Sequence, residues 1–261
     1  MLTRIISALV AIPIFLYVVF KGDNTLTIGV LLVSTLAIIE FFNAFNNIEI
    51  KPSKSIGIIS CIALFAINMF SHEPISFLPL WFFSMGALAL VKMVLDNKFT
   101  IKDTVVTITG LFYVSFLANH IALMTKNENY GKFVWLIFII AWATDTCAYF
   151  TGYLFGKNKL CPQISPKKTI EGALGGILGS VLVSIIYSYY FIPKYVIHFA
   201  IIGLIGSILG QIGDLVASMF KRYCEIKDYG KIMPGHGGIL DRFDSILFTA
   251  PLVYYYVTFM L

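Results

Sequence analysis

The run TLTIGVLLVSTLAIIEFFNAF, residues 25–45, decides the fold class of this chain. Its side chains are almost all apolar, and about 20 consecutive apolar residues are what a helix needs to cross a bilayer. Comparable runs lie near residues 5–20, 55–71, 75–95, 104–124, 133–155, 172–191, 196–220 and 245–261. Because 58% of the 261 residues are hydrophobic and only 13% are charged, a water-soluble fold could not bury them. The sequence therefore predicts an all-α, polytopic membrane bundle of about nine transmembrane helices.

No segment between these runs is long enough for a separate soluble domain. Residues 1–261 are therefore predicted to form a single integral membrane domain. Its N-terminal helices occupy residues 1–130, and residues 131–261 carry the polar motifs. The first run follows Arg4 as in a signal peptide, but it is long for that role and no small-residue cleavage site precedes Lys21. It is interpreted as a retained first helix.

Basic residues set the predicted orientation, because cytoplasmic loops are enriched in lysine and arginine. With nine spans, one side of the membrane receives 15 of the 19 basic residues: Arg4, Lys51, Lys54, Lys92, Lys98, Lys102, Lys157, Lys159, Lys167, Lys168, Lys221, Arg222, Lys227, Lys231 and Arg242. That side, with the N-terminus, is predicted to be cytoplasmic. The abundance of Lys, Ile and Phe is typical of an AT-rich genome and indicates a bacterial source. The membrane is therefore predicted to be a bacterial inner membrane. The basic residues lie in short loops without a stacking surface, which argues against a nucleic-acid partner.

Three carboxylates interrupt the apolar runs: Glu40, Asp145 and Asp214. An ionisable group within a span is costly, so each of them indicates a functional site by default. Asp145 shares a helix face with Gly152 and Gly156, and glycines permit close helix packing. Two interpretations stay open for Asp145, a place in a polar site or a bond to a neighbouring helix.

Asp214 begins a polar stripe on its predicted helix. Ser218 follows at i+4, Lys221 at i+7 and Arg222 at i+8, so a carboxylate, a hydroxyl and two cations climb one face toward the cytoplasmic surface. Carboxylates bind hard cations and basic groups bind phosphate, so the stripe favours a site for a metal and a phosphorylated substrate.

Asp241 and Asp244 stand at i and i+3 of an incipient helix and are predicted to share a divalent cation. Together with Asp214 they match the needs of Mg²⁺, which takes few protein carboxylates and completes its shell with water and substrate phosphate. Arg242 lies between the two aspartates. Lys227 lies in the same polar stretch, further toward the N-terminus.

A glycine-rich turn precedes these aspartates. Gly237 and Gly238 would let backbone amides come close to an anion. His236 either donates a hydrogen bond to a phosphate or braces the turn, and the sequence leaves both interpretations open.

The loop at residues 157–172 holds a further basic element. Ser165 followed by Pro166 predicts a helix start. Lys167 and Lys168 would then lie in the first turn, where positive charge is unfavourable unless an anion is bound. Glu171 would offset them. The competing explanation of the lysines is membrane topology alone.

Together these motifs resemble the phosphatidate cytidylyltransferase (CDP-diacylglycerol synthase) family. The matching positions, in the spacing of that family, are Ser218, Lys221, Arg222, Lys227, Asp228, Gly230, Pro234, His236, Gly237, Gly238, Asp241, Arg242 and Asp244. Two further elements match in order, Asp145-Thr146-x-Ala148-Tyr149 and Ser165-Pro166-Lys167-Lys168-Thr169-x-Glu171-Gly172. The first 130 residues match only as a set of spans. Met233 departs from the branched aliphatic or Phe expected there.

The resemblance implies a Mg²⁺-dependent nucleotidyltransferase that converts CTP and phosphatidate to CDP-diacylglycerol and pyrophosphate in phospholipid biosynthesis. The predicted metal ligands are Asp214, Asp241 and Asp244. The predicted catalytic residues are Asp214, Asp241, Lys221, Arg222, Arg242 and His236. The predicted substrate-binding residues are Ser165, Lys167, Lys168, Glu171, Ser218, Lys227, Gly237, Gly238 and Asp145.

Other functions fit part of the pattern. A CTP-dependent lipid kinase of the dolichol-kinase type would use the same nucleotide but transfer its γ-phosphate. A CDP-alcohol phosphotransferase lacks support, because its repeated aspartate pattern is not found. A transporter would also use intramembrane carboxylates, but here the polar residues concentrate in one leaflet. A homodimer is a further possibility for a glycine-rich bundle.

Overall fold

The computed structural model describes residues 2–127, 130–232, 235 and 237–261. Within these residues the chain forms nine long helices: α1 (Leu2–Lys21), α2 (Asp23–Phe45), α3 (Lys54–Phe70), α4 (Leu78–Leu95), α5 (Ile101–Lys126), α6 (Tyr130–Phe155), α7 (Ile170–Phe191), α8 (Val196–Tyr223) and α9 (Leu240–Met260). Short 3₁₀ turns cover Asn46–Ile48, Pro74–Phe77 and Pro193–Tyr195. Each of the nine predicted apolar runs falls on one of these helices, which confirms the helical fold class.

An antiparallel hairpin lies between α6 and α7 in sequence. Its strands are β1 (Lys159–Cys161) and β2 (Ser165–Thr169), and they pair Lys159 with Thr169 and Cys161 with Ser165. It is the one sheet found among the described residues.

Helix α5 is continuous but not uniform. An α-helical segment, Ile101–Gly110, passes into a π-helical turn, Leu111–Phe116, before the α-helix resumes over Leu117–Leu123 and ends in a 3₁₀ turn, Met124–Lys126. A capping box fixes its start: the side chain of Thr100 accepts from Asp103 N–H, and the Asp103 carboxylate accepts from Thr100 N–H at 2.7 Å.

Six helical segments are long and apolar enough to cross a membrane: Asp23–Ile48, Pro74–Leu95, Ile101–Lys126, Gly131–Phe155, Ile170–Phe191 and Pro193–Tyr223. Two shorter apolar helices cover Leu9–Lys21 and Lys54–Phe70. Helix α9 is less apolar, since it carries Pro251 and three consecutive tyrosines. The chain is therefore a helical integral membrane protein, and the count of nine spans stays a prediction.

The chain divides into two compact units. The first contains Met1–Lys126 and Tyr223–Arg242, and the second contains Asn127–Arg222 and Phe243–Leu261. The predicted division at residue 130 stays a prediction. The inclusion of residues 223–242 in the first unit was not predicted. That all 261 residues act as one domain stays a prediction.

Helix α2 is central to the first unit. Its aromatic residues Phe41 and Phe42 are fully buried, and the Phe41 ring lies 5.5 Å from that of Tyr113 in α5. Gly57 of α3 and Gly110 of α5 both face the Phe42 ring, and a Cβ at either position would overlap it. Small residues on α3 and α5 therefore let α2 pack closely between them.

Helices α6 and α7 form a tightly packed pair in the second unit. A Cβ on Gly172 of α7 would lie 2.9 Å from the carbonyl oxygen of Ala148 in α6. A Cβ on Gly176 would lie equally close to the carbonyl oxygen of Thr144. The glycines of α7 thus bring its backbone against α6. Further along α7, Ser180 Oγ donates to the carbonyl of Gly203 in α8 at 3.1 Å.

The predicted helix start at Ser165 is wrong. Ser165, Lys167 and Lys168 belong to strand β2, and α7 begins at Ile170. The N-cap is Thr169, whose side chain accepts a hydrogen bond from Gly172 N–H at 3.1 Å. Pairing with β1 satisfies the backbone of β2 in an extended conformation, so the two lysines do not lie in a helical first turn.

Candidate active site

An ion pair joins the basic hairpin to helix α8. Lys168 Nζ lies 2.5 Å from Asp214 Oδ2, and the two side chains are 26% and 29% exposed. Both groups are thus partly shielded from water but open to a ligand. Ser218, one turn beyond Asp214, places its Oγ 3.5 Å from Asp214 Oδ1, at the outer limit of a hydrogen bond. The predicted stripe on α8 is therefore present, and Lys168 joins it.

Asp244 contributes a second carboxylate from α9, ahead of the apolar run at residues 245–261. It is buried, and its Oδ1 accepts from Ser245 N–H at 2.8 Å. Burial and, after it, the charges of Asp214 and Asp145 raise the pKa of Asp244 to about 7, while Lys221 and the Ser245 N–H oppose the rise. The charges of Asp214 and Asp145 thus both act on Asp244.

Glycines of α8 explain why Asp214 and Asp244 lie close together. A Cβ on Gly213 would lie 2.7 Å from the carbonyl oxygen of Asp244, and one on Gly210 would lie 3.2 Å from Thr249 Cγ2. Because these positions carry no side chain, α8 and α9 pack with their backbones almost in contact. Their packing is what brings the two carboxylates together.

Asp145 on α6 is exposed. Its exposure does not decide between the two interpretations left open for it, a place in a polar site or a bond to a neighbouring helix. Its charge raises the pKa of Asp244, so Asp145 belongs to the same group of charges. Arg222, at the end of α8, donates from Nε to the carbonyl oxygen of Ile164 at 3.3 Å. This bond ties the hairpin to the helix that carries Asp214.

Glu171 fixes the base of the hairpin. Its carboxylate accepts from the backbone N–H of Lys157 at 3.1 Å and from Asn158 Nδ2 at 2.8 Å. It lies in the first turn of its helix, as predicted, but it bonds residues ahead of β1. Lys167 is exposed and Ser165 is half-buried. Among the described basic residues of the hairpin, Lys168 is thus the one paired with a carboxylate.

The glycine-rich turn belongs to the first unit, where Asp241 holds it. Asp241 Oδ2 accepts from Tyr229 N–H at 2.8 Å and from Gly238 N–H at 3.0 Å. Gly235 and Gly237 have φ values of 79° and 86°, a conformation that glycine adopts without steric cost. Asp241 and Asp244, predicted to share a cation, therefore have different partners. One oxygen of Asp241 is already committed to the backbone of the turn.

Glu40 is the carboxylate that sequence analysis singled out without assigning a role. It lies in α2 and is 3% exposed. Its Oε2 accepts from Leu240 N–H at 2.9 Å, a contact across 200 positions of the chain. Nothing in the sequence indicates that pairing. The signal available was the cost of a carboxylate within an apolar run.

The remaining predicted residues are less defined. Arg242 and Lys227 are exposed, and Lys221 is half-buried. His236 lies outside the described residues, so both of its interpretations stay open. The assignments of all these residues stay predictions.

The carboxylates suit a magnesium ion by their chemistry. Among the described residues, no three His, Cys, Asp or Glu side chains converge as a ready-made metal site. Mg²⁺ seldom uses such a cage, because it is held by one or two carboxylates together with waters and substrate phosphates. Asp214 and Asp244 supply such a pair. Burial first and the charge of Asp214 second raise the pKa of Asp244, and a bound divalent cation would act in the opposite direction.

Comparison with known proteins identifies relatives along the whole chain. The sequence profile described as the cytidylyltransferase family matches residues 2–260. A protein of Bacillus subtilis (strain 168) named phosphatidate cytidylyltransferase is 32% identical over 260 residues, covering 97% of this chain and 96% of that protein. A Staphylococcus aureus (strain COL) protein of the same name is 36% identical over 261 residues, covering 97% of both chains. One from Staphylococcus epidermidis (strain ATCC 12228 / FDA PCI 1200) is 37% identical over 258 residues, again covering 97% of both chains.

Proposed function

Because this chain belongs to the cytidylyltransferase family, we propose that it transfers the cytidylyl group of CTP to phosphatidate. The products are CDP-diacylglycerol and pyrophosphate. The observation that carries the proposal is the Lys168–Asp214 ion pair beside the buried Asp244. A half-shielded lysine and two carboxylates are the groups that a phosphate and its counter-ion require.

The membrane location suits a lipid substrate. Phosphatidate holds its phosphate at the bilayer surface, and CTP is a water-soluble polyanion. We place the reaction on the cytoplasmic side of a bacterial inner membrane, since the loops on the side predicted to be cytoplasmic carry most of the lysine and arginine. The bacterial origin of the relatives supports this location.

We propose that Asp214 and Asp244 would hold Mg²⁺ together with the substrate. When bound, the ion neutralises phosphate oxygens and so favours attack at phosphorus. Lys168 would exchange its bond to Asp214 for a phosphate oxygen. Asp145 keeps the surroundings negative and thereby favours a divalent over a monovalent cation. That Asp241 also binds the ion stays a prediction.

The reaction itself is an in-line displacement. An oxygen of the phosphatidate phosphate attacks the α-phosphorus of CTP, and a new P–O bond forms. The bond from the α-phosphorus to the oxygen that bridges to the β-phosphate breaks, and pyrophosphate leaves with the electron pair. Lys168 and Lys221 neutralise the negative charge that grows on the transferring and leaving oxygens. Positioning and charge neutralisation are the whole of the protein's contribution.

The proposal is tested with the purified protein in detergent, supplied with phosphatidate, Mg²⁺ and CTP labelled at the α-phosphate. We expect label in the chloroform-soluble product and an equimolar amount of pyrophosphate. If label from the γ-phosphate enters lipid instead, the chain is a lipid kinase. If neither label enters lipid, the transferase proposal fails and flux assays in liposomes follow. Omission of Mg²⁺ tests the cofactor, and size measurement in detergent tests the predicted homodimer.

A further inference from the structure

A carboxylate of α2 accepts a hydrogen bond from the end of the glycine-rich turn. Glu40 Oε2 accepts from Leu240 N–H at 2.9 Å, where the turn enters α9. Asp241 Oδ2 accepts from Tyr229 N–H and Gly238 N–H on the other side of the turn. Two carboxylates thus clamp the first and last residues of the turn through three backbone amides.

At two positions of the turn, the close approach of Glu40 leaves no room for a side chain. A Cβ on Gly238 would lie 2.5 Å from Glu40 Oε2, and a Cβ on Gly230 would overlap Oε1. Any side chain at either position would push the turn and the carboxylate apart. Glycine at both positions is therefore a consequence of the close approach of Glu40.

Burial makes this arrangement costly to the fold. Glu40 is 3% exposed, and its Oε1 has no hydrogen-bond partner among the described residues. A buried carboxylate with one oxygen unsatisfied destabilises a protein relative to an apolar residue of the same shape. An apolar side chain at position 40, like those of its buried neighbours Phe41 and Phe42, would be buried without that cost. Glu40 is therefore better explained by function than by stability.

We propose that Glu40 is a positioning residue for two described parts of the turn that carries Gly237 and Gly238, residues 229–232 and 237–240. This inference rests on the proposed function, for which Gly237 and Gly238 are predicted substrate-binding residues. Glu40 itself touches no reacting atom. It acts by fixing the Leu240 amide and, through it, the exit of the turn.

Two variants of Glu40 and one control separate the role of its hydrogen-bond acceptor from those of its volume and charge. Glu40→Met keeps the volume and removes the acceptor, so kcat per folded enzyme is expected to fall at least about tenfold, the equivalent of one buried hydrogen bond to a charged group. Glu40→Gln keeps an acceptor and is expected to lose less than Glu40→Met. The exposed Glu73→Met is the matched control and should leave kcat unchanged. A Glu40→Met enzyme with normal kcat overturns the proposal.

A double-variant cycle tests whether Glu40 acts through the turn. Gly238→Ala should lower kcat, because its Cβ meets Glu40 Oε2. Glu40→Ala removes that obstacle, so the double variant should be no slower than Glu40→Ala alone. Losses that multiply independently would show that Glu40 and the turn are not coupled, and the proposal would fail.

A second readout is independent of activity. Lys227 and Lys231 flank the start of the turn and are exposed, so trypsin can cut there when the turn opens. Cleavage after either lysine should be several times faster in Glu40→Met than in Glu40→Gln, because local opening becomes more frequent. Equal cleavage rates would contradict the inference. Absence of cytidylyl transfer in the unaltered protein, by contrast, would refute the proposed function and leave this comparison standing.

Discussion

Two pairs of acidic residues occupy opposite environments in this molecule. In the second unit, Asp214 is about a quarter exposed and pairs with a lysine side chain, while Asp244 shares its surroundings with other carboxylates. In the first unit, Glu40 and Asp241 are buried and accept hydrogen bonds from backbone amides. The same chemical group is thus paired with an exchangeable side chain in one region and with fixed backbone in the other.

The partner decides what a carboxylate can do. A lysine side chain has several rotatable bonds, so it can release a carboxylate to a metal and move to a phosphate. A backbone N–H in a packed turn has no such freedom, and removing its acceptor leaves a buried donor unsatisfied. Asp214, whose partner is a lysine, is therefore suited to exchange that partner for a ligand, whereas Glu40 holds the backbone of the turn. Asp241 and Asp244 each accept from backbone N–H groups, and their binding of a metal stays a prediction.

The largest expected effect comes from Asp214. Asp214→Asn removes the charge that pairs with Lys168 and would hold the metal, so turnover should fall at least about a thousandfold. The protein should still insert and elute as a folded species from detergent. Labelled CTP measures the loss, and Asp96→Asn, an exposed aspartate elsewhere, should be unaffected. Near-normal turnover of Asp214→Asn would remove Asp214 from the site and break the comparison.

Asp244 should rank second. Asp244→Asn keeps the acceptor for Ser245 N–H but removes a charge from the group of three carboxylates, so turnover should fall about a hundredfold. Raising the Mg²⁺ concentration should recover part of the loss, because one ligand is weakened and the other remains. Titration of activity with Mg²⁺ checks this. An unchanged Mg²⁺ requirement would mean that Asp244 is a structural residue like Asp241.

The two neighbouring lysines of β2 provide a matched pair. Lys168→Met removes the partner of Asp214, and we expect kcat/KM for CTP to fall by about tenfold to a hundredfold. Lys167→Met, one position earlier and exposed, should cost several times less. Steady-state kinetics of both variants measure the difference. Equal losses would mean that the hairpin acts only through its overall positive charge. Membrane topology alone would then explain the two lysines.

The smallest effect on activity is expected for a carboxylate at the start of α5 that accepts hydrogen bonds from backbone amides. Asp103 is buried in the cap of α5 and accepts from the backbone amides of Thr100 and Lys51. Asp103→Asn should lower stability by about 1–2 kcal/mol with kcat per folded enzyme unchanged. Thermal unfolding in detergent and a transfer assay on the folded fraction measure the two quantities. A fall in kcat without loss of stability would contradict the distinction between carboxylates that bind ligands and carboxylates that hold the backbone.

Several elements were predictable because their cause is local. Apolar runs of bilayer length fall on all nine helices, since the cost of exposing backbone in a membrane leaves a helix as the solution. The stripe from Asp214 to Ser218 follows from helical periodicity. Asp241 lies in the first turn of α9, and Asp244 follows three positions later on the same helix.

Other elements were not predictable because their partners are distant. The sequence Ser165-Pro166 favours a helix start, but pairing with β1 holds those residues extended and moves the cap to Thr169. The ion pair of Lys168 with Asp214 joins positions far apart in the chain. The bond from Leu240 to Glu40 spans most of it. No window of sequence contains both partners of such a contact.

The sequence by itself determined that the chain is a membrane-embedded helical protein with a basic, aspartate-bearing C-terminal half, because hydropathy and charge act residue by residue. The motifs of the family were legible for the same reason. The tertiary structure alone decided which carboxylates are available and which are committed. That choice depends on glycines that let helices approach, on a hairpin that carries Lys168 to Asp214, and on a turn that closes over Glu40.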